Sequence, residues 1–314
     1  MPRTSSGDEA GKGDQDNCIG YGECSPKLEK RFLQTGTIRL HVVAAGPEDG
    51  PTLVLLHGFP EFWYGWRHQI PALAEAGYRV VVPDQRGYNL SDKPKGIQAY
   101  AADLLVHDVV NLVAATGQEK IVLVGHDWGA MVAWWVAERY PETIAKLVVI
   151  NVPHPAVMRH HLRPGQNPRQ LLRSWYTGFF QLPRLPETLL RLGNWTLMTR
   201  ALQRSSLPGT FSADDLVRYR KAWSQPGAIT AMINWYRAAY RRNTDAPRTE
   251  SNAITVPTLL IWGAQDPFLG EEMAHPSIRR CEDGRLELIQ TATHWIHHEK
   301  PDLANSLISH FLLH

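Results

Sequence analysis

The stretch "VLVGHDWGAMVA" (residues 122–133) decides the fold of this chain, because an apolar strand stops at Gly125 and a helix-like run begins at Trp128. A strand, a tight turn and a helix would place Asp127 on a sharp corner at the carboxyl end of the strand. Gly125 and Gly129 allow the close backbone approach that such a corner needs. The stretch has the form Gly-x-nucleophile-x-Gly, with aspartate as the nucleophile. Asp127 could instead cap the helix, since Asp is a favoured N-cap.

Six short apolar runs along the chain are typical of buried β-strands. Amphipathic segments of helix length, such as residues 101–117 and 128–140, separate the first four runs. Continuous apolar strands that alternate with helices predict a sheet covered on both faces. The expected fold class is therefore α/β, with a mostly parallel central sheet flanked by helices. The predicted strands cover residues 52–57, 78–83, 120–125, 146–151, 258–262 and 285–290.

A long segment of different composition interrupts this alternation. Residues 153–252 contain many Arg and Pro residues, several helical stretches and no strand-like apolar run. We expect this segment to form a helical lid subdomain, inserted into a core that residues 28–152 and 253–314 build together. Alternating apolar and polar residues around Gly36 predict a hairpin that opens the core. Residues 1–27, rich in Gly, Ser, Asp and Lys, are predicted to be a disordered tail.

The composition argues against several classes of protein. The chain has 314 residues with 33 basic and 31 acidic side chains and a net charge of +2, so no nucleic-acid partner is expected. Cys18, Cys24 and Cys281 form no Cys-x-x-Cys pair, which predicts neither a disulfide framework nor a metal site. The sequence has no recognisable signal peptide or membrane span, which favours a cytoplasmic location. A monomer and a homodimer are both compatible with the sequence.

A nucleophile at Asp127 would need a histidine base and an acid that orients this histidine, in the chain order nucleophile, acid, histidine. Asp266 lies just past the end of the fifth apolar run, and His294 lies a few residues past the end of the sixth. Ligands of open α/β sheets bind outside the carboxyl ends of the strands, where these residues would lie. Asp266 and His294 are therefore the predicted acid and base.

Other residues near the strand ends offer alternatives to these two. Asn151 follows the fourth strand, where an acid could also stand, but an amide cannot serve as that acid. His297 and His298 lie farther from the strand end than His294 does, so we assign them to the following turn or helix.

A catalytic site of this kind also needs donors for an oxyanion. The strand at residues 52–57 ends at His57, and the loop that follows can point the Phe59 N–H into the site. The N–H of Trp128, the residue after the nucleophile, is the second predicted donor.

An aspartate nucleophile indicates attack on a saturated carbon. The attack leaves an alkyl ester on Asp127 that water activated by His294 can cleave, whereas serine would leave an ether that such water cannot open. The ring oxygen of an epoxide and the halide of a haloalkane both fit as leaving groups. An epoxide oxygen needs an acid, and Tyr176 and Tyr236 in the lid are candidates because tyrosine is protonated at neutral pH. Lid tyrosines are more often core residues, so position alone leaves the two reactions about equal.

Seven motifs from about residue 29 onward resemble those of the α/β-hydrolase-fold epoxide hydrolases. They are "HGFPEFWYGWRHQIP", "DQRGYNLSDKP", "GHDWGA", "FFQLPRLPE", "SQPGAITAMINWYR", "WGAQD" and "HWIHHEKP". The resemblance implies the α/β-hydrolase fold and assigns the two ring-opening tyrosines of the family to Tyr176 and Tyr236. It is greatest to the single-domain branch that lacks an N-terminal phosphatase domain. The chain departs from the family at Thr293, where a glycine often precedes the catalytic histidine, and Tyr240 lies one helical turn after Tyr236.

The predicted function is a cofactor-independent epoxide hydrolase that converts an epoxide and water to a vicinal diol. Its substrate is expected to be a small apolar or aromatic epoxide. The alternatives are a haloalkane dehalogenase with the same triad and a non-catalytic ligand-binding protein of this fold. Many haloalkane dehalogenases have Asn in place of Phe59, and they lack the tyrosine pair. The residues expected to line the pocket are Phe59, Trp128, Phe179, Trp235 and Trp295.

Overall fold

Eight strands form one central sheet in the computed structural model, which describes residues 27–241 and 253–314. The strands are β1 (Glu29–Thr35), β2 (Ile38–Ala45), β3 (Thr52–Leu56), β4 (Arg79–Pro83), β5 (Ile121–His126), β6 (Ile144–Ile150), β7 (Thr258–Gly263) and β8 (Gly284–Ile289). Their spatial order is β1-β2-β4-β3-β5-β6-β7-β8. β2 pairs antiparallel with β1 and β4, and the other neighbouring strands are parallel.

The sheet is mostly parallel, and helices connect its successive parallel strands and cover them. Every residue of β3, β4, β5 and β7 is buried, as expected for strands that read as continuous apolar runs. The helices that connect the core strands are α1 (Gln69–Glu75), α2 (Ala102–Thr116) and α3 (Trp128–Arg139). Each predicted apolar run coincides with a strand, although β6 begins at Ile144, two residues earlier than expected. The predicted α/β class and the mostly parallel sheet are confirmed.

The hairpin at the start of the sheet forms around Gly36. Thr35 pairs with Ile38, and Gly36 in the turn has a φ of 63°, which glycine adopts without steric cost. Except for its last residue, the predicted tail over residues 1–27 lies outside the described part of the chain.

In the described part of the chain between β6 and β7, which omits residues 242–252, there are six helices. They are α4 (Pro155–His161), α5 (Pro168–Arg173), α6 (Trp175–Phe179), α7 (Leu185–Ser205), α8 (Ala213–Trp223) and α9 (Ala228–Tyr240). The helix α7 consists of two helical stretches, because Leu192 and the three residues after it have non-helical backbone angles. The division into a core and a lid at residues 153 and 252 stays a prediction.

The final part of the chain contains three more helices, α10 (Ala274–Ile278), α11 (Ile296–Glu299) and α12 (Pro301–Leu313). β8 is followed by a short loop that leads into α11, and His294 lies in this loop. Among the described residues, no helix combines the length and the apolar character needed to cross a membrane.

Candidate active site

Asp127 lies at the corner between β5 and α3, with φ of 50° and ψ of −122°. The corner depends on glycine, because a Cβ atom at Gly129 would lie 2.1 Å from the carbonyl oxygen of Leu56. The Asp127 side chain makes no capping hydrogen bond to α3. Its Oδ1 instead accepts a hydrogen bond of 2.6 Å from the N–H of Phe59. The carboxylate is therefore directed toward the loop after β3 and does not cap the helix.

His294 lies between two carboxylates. Its Nδ1 is 2.7 Å from Oδ2 of Asp266, and its Nε2 is 3.6 Å from Oδ2 of Asp127. His294 and Asp266 are both 2% exposed, so water does not compete for the hydrogen bond between them. The structure thus brings together the three residues predicted from their order in the chain.

Asp266 is held by donors on both of its oxygens. Oδ1 accepts hydrogen bonds of 2.7 and 2.9 Å from the N–H groups of Phe268 and Leu269. Oδ2 accepts a hydrogen bond of 2.9 Å from the Nδ2 of Asn151. Asn151, at the position where an acid could also have stood, therefore supports Asp266 and does not replace it.

The electrostatics of the site favour a charged pair of Asp127 and His294. Burial lowers the pKa of His294, but the charges of Asp266 and Asp127 and the hydrogen bonds to both raise this pKa overall, to about 10. Burial raises the pKa of Asp127, while the hydrogen bond and charge of His294 bring it below the usual value. At neutral pH the resting site therefore contains an aspartate and an imidazolium.

Tyr176 on α6 and Tyr236 on α9 lie next to each other, with ring centroids 5.9 Å apart. Tyr236 packs edge-on against Phe59 and Trp128, at centroid distances of 5.3 and 5.1 Å. Burial and the negative charge of Asp127 raise the pKa of both tyrosines. Both hydroxyl groups are therefore protonated at neutral pH and can donate hydrogen bonds near the elbow.

Two departures from the family pattern are explained by local contacts. Tyr240 is 74% exposed, whereas Tyr236 is buried, so only Tyr236 lies against the elbow. Thr293 donates from Oγ1 and from its N–H to the carboxylate of Glu299, at 2.6 and 2.8 Å. This contact ties the loop that carries His294 to the end of α11.

The five predicted pocket residues differ in how closely they approach the tyrosine pair. Phe59 and Trp128 pack directly against Tyr236, and Phe179 reaches the tyrosines through its neighbour Phe180. Trp235 packs against Trp128, but it is buried and its indole donates to the carbonyl oxygen of Arg86. Trp295 contacts the ring of His294 and donates to Ser205 Oγ. A pocket role for these residues stays a prediction.

Glu61 and His126 form a buried network behind His294 that the sequence did not suggest. The Nε2 of His126 lies 2.9 Å from the carbonyl oxygen of His294, and because a carbonyl can only accept, this nitrogen donates. The other ring nitrogen of His126 lies 3.1 Å from Oε2 of Glu61. The only sign of this network in the sequence was the position of its residues, since His126 directly precedes Asp127 and Glu61 follows two residues after Phe59.

Glu61 is the centre of this network, which also includes residues of α11 and α8. Its Oε1 accepts hydrogen bonds of 2.7 Å from Tyr219 and from Nε2 of His298. His297 lies nearby, with its Nε2 3.5 Å from Oε2 of Glu61. Glu61, His126 and His297 are the described residues whose spacing could accommodate a metal ion, with ligand atoms within 4.8 Å of one another.

Comparisons with known proteins agree with this architecture. The family model of the alpha/beta hydrolase fold matches residues 51–301. The chain is 49% identical over 283 residues to the AB hydrolase superfamily protein YfhM of Bacillus subtilis, which covers 90% of this chain and 97% of that protein. It is 39% identical to mouse Epoxide hydrolase 4, which covers 89% of this chain and 78% of that protein.

Solved structures give the same result. The crystal structure of an epoxide hydrolase from Bacillus megaterium in complex with an inhibitor has a TM-score of 0.81 and 32% sequence identity, and the match covers 90% of this chain and all of that one. The resemblance inferred from the seven motifs is therefore confirmed. The chain belongs to the epoxide hydrolase family within the α/β hydrolase fold.

Proposed function

We propose that the protein is an epoxide hydrolase that forms an alkyl ester on Asp127 and hydrolyses it to a vicinal diol. The observation that carries the proposal is the adjacent pair Tyr176 and Tyr236, whose hydroxyl groups stay protonated because burial and the negative charge of Asp127 raise the pKa of both. A departing alkoxide needs such donors, whereas a departing halide does not.

In the first step the free oxygen of Asp127 attacks a ring carbon. Oδ1 is occupied by the Phe59 N–H, so Oδ2 is the oxygen that forms the new C–O bond while the ring C–O bond breaks. The ring oxygen takes a proton from the tyrosine pair. The proton of the His294 imidazolium replaces the one that the tyrosines lose, which leaves His294 neutral.

In the second step the ester changes the charge around His294. Esterified Asp127 carries no negative charge, so one cause of the high pKa of His294 disappears. Neutral His294 can then take a proton from a water molecule that attacks the Asp127 carbonyl carbon. The oxyanion forms on Oδ1, next to the Phe59 N–H and the predicted Trp128 N–H. Collapse of this oxyanion breaks the bond between the Asp127 carbonyl carbon and Oδ2, and Oδ2 leaves as the second oxygen of the diol. It takes the proton of the hydroxyl group that the water left on Asp127, and the Asp127–His294 ion pair is restored.

The haloalkane alternative has less support. It would use the Trp128 indole to hold a halide, but the Trp128 ring packs edge-on against Tyr236, with ring centroids 5.1 Å apart, and its interaction with the tyrosine lowers the Tyr236 pKa slightly against the larger effect of burial. In the epoxide reaction the same contact positions a tyrosine that donates to the ring oxygen.

One experiment separates this cycle from direct attack of water on the epoxide. Enzyme in excess over an aryl epoxide is mixed in water labelled with heavy oxygen, and peptide and diol are analysed by mass spectrometry after a single turnover. We expect the label in the peptide that contains Asp127 and unlabelled diol. Label in the first diol would contradict the ester mechanism.

The variant Tyr176→Phe/Tyr236→Phe serves as the matched control for the leaving group. We expect it to lower epoxide turnover by about 10²-fold or more, as for the loss of a general acid. The dehalogenase reaction would be assigned instead if two results were obtained together. The unmodified enzyme would not turn over the epoxide, and the double variant would release chloride from a chloroalkane at the same rate as the unmodified enzyme.

A further inference from the structure

The first part of the lid carries an excess of positive charge. Residues 153–212 contain eight arginines, one glutamate and no lysine or aspartate, a net charge of +7, which leaves −5 for the rest of the chain. The one acid, Glu187, is buried and lies 2.6 Å from Arg237, so it does not offset the surface charge. The exposed arginines are Arg159, Arg163, Arg169, Arg173, Arg184, Arg191, Arg200 and Arg204.

The same part of the lid exposes large apolar side chains. Five of them lie within fifteen residues, on α5, on α6, in the loop after α6 and at the start of α7, and we call these five the lid patch: Leu171, Leu172, Trp175, Leu182 and Leu185. Leu172 is 74% exposed and Trp175 is 67% exposed. Single exposed apolar residues are normal, but such a concentration on one short segment marks an interaction site.

Arginines are interspersed with this patch along the chain. Arg169 and Arg173 lie on α5 with the two adjacent leucines, and Arg184 lies between Leu182 and Leu185. Glu272 borders the region, where it accepts a hydrogen bond from Asn167. Along this segment the exposed apolar residues of the lid patch therefore alternate with positive charges.

This combination is suited to an anionic lipid surface. Leucine and tryptophan side chains enter the boundary between headgroups and acyl chains, and arginines bind the phosphate groups around them. A second copy of the chain is a poorer occupant, because a two-fold contact would bring the same positive surface against itself. We propose that the lid patch docks on the surface of a membrane that contains anionic lipids.

The docked face would adjoin the candidate site. Trp175 directly precedes Tyr176, and its ring contacts Phe179 at a centroid distance of 6.1 Å. An apolar substrate dissolved in the membrane would then lie near the lid tyrosines. The docking itself does not depend on the proposed reaction, since binding to vesicles is measured without any substrate.

The test is flotation of the full chain with vesicles of phosphatidylcholine alone or with about a third of phosphatidylglycerol. We expect strong binding to the anionic vesicles at low salt, weak binding to the neutral ones, and loss of binding as salt is added. The variant Leu172→Ser/Trp175→Ser should weaken binding about tenfold. The variant Arg169→Glu/Arg173→Glu/Arg184→Glu should weaken it at least as much.

Two matched controls change residues outside the lid. Leu313 at the end of α12 is 78% exposed, so Leu313→Ser removes an equally exposed leucine outside the patch. Lys120→Glu/Arg279→Glu/Arg285→Glu reverses three exposed charges outside the lid. Both controls should bind anionic vesicles within about threefold of the unmodified protein, after correction for the change in net charge.

Three outcomes would overturn the proposal. The first is no binding to either vesicle, and the second is equal binding to neutral and anionic vesicles. The third is a lipid-free dimer, seen by light scattering, that Leu172→Ser converts to a monomer. That last result would make the patch an interface between copies of the chain. Because epoxide turnover is assayed separately in the same samples, failure of docking and failure of the proposed reaction are distinguishable.

Discussion

His294 and His298 lie four residues apart, are both buried, and have opposite electrostatic environments. His294 is close to two carboxylates, those of Asp266 and Asp127, and its pKa is raised to about 10 although burial acts to lower it. His298 shares the single carboxylate of Glu61 with other histidines and faces Arg67. Burial therefore dominates, and its pKa is lowered. The number of nearby carboxylates decides which histidine is charged, and sequence spacing does not show that number.

The two regions also differ in what their hydrogen bonds connect. The triad joins three loops at the carboxyl edge of the sheet, through the contacts of His294 with Asp127 and Asp266. The Glu61 network joins the loop after β3, the end of β5, α11 and α8, and both Glu61 oxygens have partners. We therefore expect changes in the triad to alter turnover and changes around Glu61 to alter stability.

The largest effect should separate the two histidines by activity. His294→Gln removes the base, so we expect the alkyl ester on Asp127 to accumulate and turnover to fall by about 10²–10⁴-fold. Intact-protein mass spectrometry after addition of an epoxide would show the added mass. In His298→Gln the amide can still donate to Glu61, and we expect turnover within about tenfold of the unmodified enzyme. Equal losses in both variants would remove the distinction.

The second effect concerns stability. Glu61→Gln leaves the donors of a buried network without their carboxylate, and we expect the free energy of unfolding to fall by about 3 kcal/mol, as for the loss of buried hydrogen bonds to a charged group. Asp103→Asn is the matched control, because Asp103 forms an exposed ion pair with Arg139 that should contribute less than about 1 kcal/mol. Urea titration measures both. A loss at Glu61 no larger than at Asp103 would show that the network is not stabilising.

The smallest effect is a difference in pH dependence. The folded pKa of His294 is raised, so its contribution to stability is complete below its unfolded pKa of about 6.5 and is lost as the pH rises toward about 10. The folded pKa of His298 is lowered, so its contribution is present above about 6.5 and is lost as the pH falls. Urea midpoints of the two glutamine variants, compared with the unmodified protein between pH 4 and about 10, should diverge at opposite ends of this range. Parallel curves would contradict this assignment of charge.

Much of the fold and the positions of the triad could be predicted from the sequence, because both depend on local patterns. Apolar runs marked the strands, and the carboxyl ends of parallel strands meet at one edge, so Asp127, Asp266 and His294 could be expected to lie together. In contrast, the sequence could not show that Tyr236 is buried and Tyr240 exposed, because both tyrosines fit the same helix pattern.

The Glu61 network could not be predicted for a different reason. Glu61 and His298 are 237 residues apart in the chain, and no periodicity links the loop after β3 to α11. Glutamate and histidine are also common on protein surfaces, so neither residue stands out in the sequence before the packing is known.

The hydrogen bond from the Phe59 N–H makes the two oxygens of Asp127 chemically distinct. In the proposed cycle Oδ2 leaves with the diol, and the oxygen of the attacking water takes its place while Oδ1 stays bound to the N–H. Each diol would then contain the oxygen of the water consumed in the previous cycle. An enzyme transferred from labelled to ordinary water would release one further equivalent of labelled product, because Asp127 keeps one oxygen atom of the water consumed in the preceding turnover.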